Sequence, residues 1–198
     1  MRKTTTSAVK QQRTNKNRVD FYPTPPSATN MFLDWLEQSH HDIAGMSCWE
    51  PAGGAGDMAV ELKKRFDTVH ISDWYDPANM GWPRIDFADQ LLAVPEKYDW
   101  IITNPPFGLG LEFVQNGLKY SRWGYAMIMR IAFLEGVKRY ENLFKDTPPT
   151  DVLMHVKRVS MSEGVVDEKR PSSVAYAWFV WDKSDHHYGK TTKVSWLI

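Results

Sequence analysis

The chain has 198 residues, 42% of them hydrophobic and 24% charged, and its 24 basic residues balance 24 acidic ones. That composition fits one globular domain with a sizeable core and excludes collagen-like or low-complexity chains; no apolar run approaches the roughly 18 residues of a membrane span. The single cysteine, Cys48, excludes an intramolecular disulfide framework and a cysteine metal cluster, and with no secretory signal the expected compartment is the cytoplasm.

The charge is unevenly spread. Residues 1–19 hold Arg2, Lys3, Lys10, Arg13, Lys16 and Arg18 and no acid, so the remainder carries six more acidic than basic residues. Residues 1–18 are therefore read as a flexible basic arm, either one that neutralises nucleic-acid phosphates or a solvated tail of no particular role, and residues 19–198 as one domain.

After the arm, "FYPTPPSATNMFLDWLEQ" begins extended and becomes a helix from about Ala28 to Gln38, capped by Ser27. Met31, Phe32, Trp35 and Leu36 form its apolar face. "MSCWE" reads as a short buried strand that makes Cys48 a structural thiol. A glycine-rich turn, "PAGGAGD", leads into the helix "MAVELKKRF" and the strand "TVHIS".

The irregular "DWYDPANMGWPRIDFAD" follows, then the strand "YDWIITNPPF", the helix "LGLEFVQNGLKYS" and a strand opening "GYAMIMRIAFL". "EGVKRYENLFKD" has helical periodicity, open to interruption at Gly136, and "TDVLMHVKRVSM" and "SVAYAWFVWDK" are β-type. Strands alternating with helices, then closing β-runs, predict an α/β fold: a Rossmann-like, doubly wound, mostly parallel sheet with a C-terminal antiparallel hairpin.

Three features carry chemistry. Gly53, Gly54 and Gly56 give a turn that a ligand can approach closely, but it fits neither the dinucleotide pattern nor a phosphate-binding loop. Glu50 before it and Asp57 after it would repel phosphates and suit an amine-bearing ligand. Asp73 lies 23 positions after Glu50, about the separation at which an acid reaches a ribose hydroxyl, and Trp74 beside it can stack on adenine. Asp86-Phe87 repeats the acid-aromatic pair and is read as a receiver of the adenine edge. Last, Asn104-Pro105-Pro106-Phe107 ends a strand with rigidly placed acceptors and an aromatic ring.

In this order the segments resemble the class I S-adenosylmethionine-dependent amino-methyltransferases of DNA, especially the small adenine-N6 enzymes of phages and prophages. "EPAGGAGD" is similar to that family's glycine motif and "NPPF" to its catalytic tetrapeptide. "FYPTP" resembles the segment lying against the cofactor's methionine part, and "AFLEGVKRYENLF" and "RPSSVAYAWFVWDK" resemble later phage-type elements. The resemblance implies the class I methyltransferase fold; the larger enzymes of this type carry a separate target-recognition domain, for which residues 19–198 are expected to leave no room, so relaxed sequence recognition is expected.

It further implies S-adenosylmethionine as cofactor, with Phe21, Tyr22, Thr24, Pro25, Glu50, Pro51, Gly53, Gly54, Gly56, Asp57, Asp73, Trp74, Asp86, Phe87 and Asn104 around it. Asn104, Pro105, Pro106 and Phe107 would be catalytic. The partner implied is DNA, as a duplex with the base flipped out or as a single strand. RNA adenine, a protein glutamine, or a silent cofactor-binding module are the alternatives.

Other residues point elsewhere. The adjacent pairs His40-His41 and His186-His187 are read as solvated surface rather than metal ligands, and His70 as a strand residue. Arg130, Arg139 and Arg170 are open to phosphate contacts or to structural salt bridges.

Overall fold

The computed structural model describes residues 21–39, 42–94, 96–167 and 173–198; the basic arm, His40, His41 and Arg170 lie outside the described residues. Helix α1 spans Pro26–Ser39 and starts two residues earlier than the sequence suggests. Pro26 lacks a donor and has φ preset, which suits the first helical position. The amides of Ala28 and Thr29 donate to the Pro25 carbonyl at 3.0 and 3.3 Å, so Ser27 sits inside the first turn rather than capping it.

The chain continues through β1 (Ser47–Glu50), α2 (Asp57–Leu62), β2 (Thr68–Ile71), β3 (Tyr98–Thr103), α3 (Gly110–Tyr120) and β4 (Ser121–Arg130). A short helix α4 (Val137–Arg139) runs into a π-helical turn, Tyr140–Phe144. Three strands close the chain: β5 (Asp151–His155), β6 (Tyr176–Asp182) and β7 (Lys193–Leu197).

These strands form one seven-stranded sheet in the order β2-β1-β3-β4-β6-β5-β7. Only β6 runs against the rest: it pairs antiparallel with β4 and β5, and β7 adds to β5 in parallel. The expected mostly parallel α/β sheet and its antiparallel pair are both present. β7 is the addition the sequence did not announce.

Side-chain alternation divides the core into two layers. Cys48, Trp100, Ile102, Ile128, Trp178 and Val180 face α1 and α2, with Phe32 stacked on Trp178 at 4.3 Å between ring centroids. Trp49, Ile101, Tyr125, Met127, Phe179 and Trp181 face α3 and the turn at Leu143. Cys48 is free and buried, and burial raises its thiol well above its ordinary value, which makes it an inert packing group. Among the described residues, no helix is long and apolar enough to cross a membrane.

His155 ends β5 in this core. Its Nε2 is buried without a hydrogen-bond partner, and burial lowers its pKa from 6.5 to about 4. A histidine held neutral in the folded state contributes stability above pH 6.5 that is lost as pH falls toward 4, because the unfolded chain takes up the proton first. The loss is about 3 kcal/mol over that window. Denaturant unfolding between pH 7 and pH 4 is expected to show this slope as the difference between the unaltered protein and His155→Phe.

Candidate functional site

The ligand-binding edge of such a sheet lies at the C-terminal ends of its parallel strands, where the winding reverses. Here the chain steps outward from β1 to β2, then returns to β3 on the other side of β1. That edge gathers Glu50 at the end of β1, Asp73 just beyond β2, Asn104 just beyond β3 and Arg130 at the end of β4.

The glycine turn grows out of the β1–β2 pairing. Ser72 N–H donates to the Glu50 carbonyl and Gly53 N–H to the Ser72 carbonyl, both at 3.0 Å, which carries the ladder past the strand ends. A Cβ on Gly53 would stand 2.5 Å from Ile71 Cγ2, so any side chain there forces Ile71 or the turn to shift. Gly54 and Gly56 take φ values of +50° and +87°, and Gly56 leads directly into α2.

Asp73 fastens this turn to the loop after β2. One carboxylate oxygen accepts from Gly54 N–H at 2.9 Å, and the other from Tyr75 and Asp76 N–H at 2.8 and 3.0 Å. Three of its roughly four lone-pair positions are thus used within the protein. Asp73→Ala is expected to cost about 2–3 kcal/mol of stability and to open residues 74–82 to proteolysis. Denaturant unfolding and limited digestion check this; an unchanged cleavage pattern would contradict it.

Glu50 is 2% exposed, and its Oε2 has no hydrogen-bond partner among the described residues. Burial raises its pKa well above 4.5, and the negative charges of Asp73 and then Asp57 add to the effect. A buried acid without a partner, at the mouth of a glycine turn, is chemically suited to a cationic amine.

The "FYPTP" segment spans the site. The Phe21 ring lies against Gly54, 3.0 Å from where a Cβ would stand, and the Phe21 carbonyl accepts from Gly164 N–H at 2.8 Å. The next residue reaches the other motif: Asn104 Nδ2 donates to the Tyr22 carbonyl at 2.8 Å, and the Tyr22 ring meets Phe107 at 4.7 Å. Thr24 and Pro25 are buried behind them. Because a carbonyl can only accept, the Asn104 amide is fixed with Nδ2 toward Tyr22, leaving Oδ1 as its acceptor. Arg130 lies over Phe107, its guanidinium carbon 3.9 Å from the ring centroid.

Some expected site residues sit differently from their neighbours. Phe87 is a core residue, 1% exposed, with its ring edge-on to Trp49 and Phe113, and its carbonyl accepts from Asn116 Nδ2 at 2.6 Å. Trp74 is 55% exposed. The tryptophan that touches the glycine turn is instead Trp82, whose Nε1 donates to the Gly54 carbonyl at 2.9 Å. Nothing in "MGWPR" signals this, because the contact depends on how the irregular 74–84 segment folds back.

Asp185, His186 and His187 gather with their ligand atoms within 4.8 Å of one another. The Asp185 carboxylate is engaged there by Lys193 Nζ and by His187 N–H, both at 2.7 Å, which gives the cluster a structural explanation.

Solved structures give the fold a place. The chain superposes on a Listeria monocytogenes structure described as a class I S-adenosylmethionine-dependent methyltransferase, with a TM-score of 0.65 and 14% identity over 97% of this chain and 71% of that one. It also superposes on a type I restriction-modification methyltransferase subunit from Streptococcus thermophilus (TM-score 0.62, 14% identity, 91% of this chain, 48% of that one), spanning about half of that subunit. A Pyrococcus horikoshii protein described as an RNA methyltransferase matches at a TM-score of 0.59 and 16% identity, over 91% of this chain and 99% of that one. No family model and no curated protein sequence matches the chain. The chain has the class I methyltransferase fold.

Proposed function

We propose that this chain is an S-adenosylmethionine-dependent methyltransferase acting on the exocyclic N6 amine of adenine in DNA, with relaxed sequence recognition. The observation that carries the reading is the bridge made by Phe21 and Tyr22. Two consecutive residues touch the glycine turn and the Asn-Pro-Pro-Phe turn, far apart in sequence, and tie them into one site.

The residues present fit the cofactor. Glu50 offers a partnerless buried carboxylate to an α-ammonium group, the glycine turn admits close approach, and Asp73 keeps one lone pair for a hydroxyl. When bound, the cofactor supplies a methyl group on a sulfonium that needs no further activation.

The protein's work is on the amine, whose lone pair is delocalised into the adenine ring. Asn104 Oδ1 takes one N–H and the Pro105 carbonyl the other, both outside the ring plane, which draws the nitrogen toward a pyramidal shape. These fixed acceptors stabilise the positive charge that develops on nitrogen. Phe107, held by Tyr22 and Arg130, supplies the ring on which the base stacks. A stacked duplex base cannot reach this turn, so the target is flipped out or already unpaired. The six basic residues among residues 1–19 favour a polyanionic substrate.

Incubation with methyl-labelled cofactor and, in parallel, duplex DNA, single-stranded DNA and RNA tests the substrate class. Label is expected in DNA. Label in RNA alone favours the RNA reading, which the likeness to the Pyrococcus horikoshii structure keeps in view. No label in any of the three, with cofactor bound, contradicts nucleic-acid methylation.

A further inference from the structure

The sheet order divides the ligand edge in two. The glycine turn and residues 74–82 lie on the β1–β2 side of the Asn-Pro-Pro turn, and β4 lies on the other. On that side the chain leaves Arg130 directly into a compact turn, Ile131–Tyr140.

The turn is built to hold a shape. It opens with a 3-10 turn, Ile131–Leu134, and reverses at Gly136, whose φ of +112° is costly for a side-chain-bearing residue. Gly136 leaves room for Arg139 to fold back, where its guanidinium donates to the Ala132 carbonyl at 3.2 Å and lies 5.4 Å from the Phe133 ring centre. Phe133 anchors the turn to the core, edge-on to Phe144 and Phe179 at 5.7 and 5.6 Å.

This fastened base leaves apolar groups outside. Leu134 is 42%, Tyr140 54% and Val137 80% exposed. The segment is basic: residues 130–145 hold Arg130, Lys138, Arg139 and Lys145 against Glu135 and Glu141, within a region, residues 20–198, that is net acidic. An apolar tip on a segment with two more cations than acids complements a surface whose apolar stacks lie between rows of anions.

We propose that the Ile131–Tyr140 turn docks on duplex DNA beside the target adenine. Leu134 and Val137 press into the duplex and fill the space that the extruded base leaves, while Lys138 meets a phosphate. This rests on the DNA adenine reading and gives it a contact surface. Apolar wedges of this kind offset the cost of unstacking a base, so their effect belongs to paired targets alone.

The test uses the full chain and the double variant Leu134→Ala/Val137→Ala, with methyl transfer measured on a duplex and on the same target as a single strand. On the duplex, kcat/KM is expected to fall at least tenfold. On the single strand it should stay within about threefold of the unaltered protein, with cofactor affinity and Tm unchanged. Lys138→Ala is expected to weaken duplex binding and to lower the salt slope by about one.

Equal activity of the double variant and the unaltered protein on the duplex overturns the docking, as does an equal loss on both substrates. If the unaltered protein methylates duplex DNA and the variants match it, only the docking fails. If the unaltered protein neither binds nor methylates duplex DNA, the docking and the duplex reading fall together.

Discussion

Asn104→Ala is expected to lower kcat about 10²- to 10³-fold while the Kd for S-adenosylmethionine stays within about threefold. The size follows from removing one preorganised group that meets charge developing only in the transition state. The structure adds a cost that the mechanism alone does not contain. Asn104 Nδ2 also satisfies the Tyr22 carbonyl, so the variant leaves a half-buried acceptor without its donor, at about 1 kcal/mol. Asn104→Asp separates the two effects. Its carboxylate keeps an acceptor but repels the Tyr22 carbonyl, where alanine only leaves that carbonyl without a donor, so Tyr22 should be displaced and cofactor binding should weaken as well as turnover. Full activity of Asn104→Ala would rule out the acceptor role.

Glu50→Gln is expected to act in opposite directions on stability and on binding. Burial, with Asp73 and Asp57, holds the Glu50 pKa above its ordinary 4.5, so the folded chain binds this proton more tightly than the unfolded one. The resulting stabilisation is complete below pH 4.5 and is lost as pH rises toward the folded value. Glutamine keeps the shape without the charge. The ligand-free variant should therefore be more stable than the unaltered protein at pH 7–8, by about 1–3 kcal/mol, with the gap closing toward pH 4.5.

Cofactor affinity should fall about 10- to 100-fold, the worth of a charge-assisted contact to an ammonium group. His155 slopes the other way below pH 6.5, so between 4.5 and 6.5 the two groups oppose each other and each variant isolates one of them. Thermal unfolding against pH and calorimetric titration read both effects. A Glu50→Gln variant that is less stable at pH 8 and binds the cofactor normally would contradict the role given to this acid.

Such a trade, an uncomfortable group retained at a site, is the usual mark of function over stability. It also explains which parts of the molecule were legible in the sequence. The sheet was, because the strands from "MSCWE" to "SVAYAWFVWDK" carry apolar runs bounded by turn residues, buried in every one but the edge strand β2, where Val69 and Ile71 are half-buried. The exception is β7. Val194 and Trp196 are exposed and Lys193 opens the strand, so "KVSWL" has no buried run to announce it. It is a strand only because β5 offers it an edge.

The two turns were legible from glycines and prolines, whose backbone demands are local. The contacts joining them were not. That Tyr22 meets Asn104, that Trp82 rather than Trp74 touches Gly54, and that Phe87 belongs to the core all depend on segments without periodicity, positioned by long-range packing. Arg139 shows the same limit. Its sequence setting left phosphate and structural roles open, and its hydrogen bond to Ala132 makes it a fastener of its own turn.

The central claim is a methyl group on the N6 nitrogen of adenine, and the most direct test identifies that atom. Duplex DNA is incubated with the full chain and methyl-deuterated S-adenosylmethionine, digested to nucleosides and analysed by mass, with Asn104→Ala in parallel. The account predicts deuterated N6-methyldeoxyadenosine with the unaltered protein and at most about one per cent of it with the variant. A methylated cytosine in its place, or equal N6-methyldeoxyadenosine from both proteins, would contradict it.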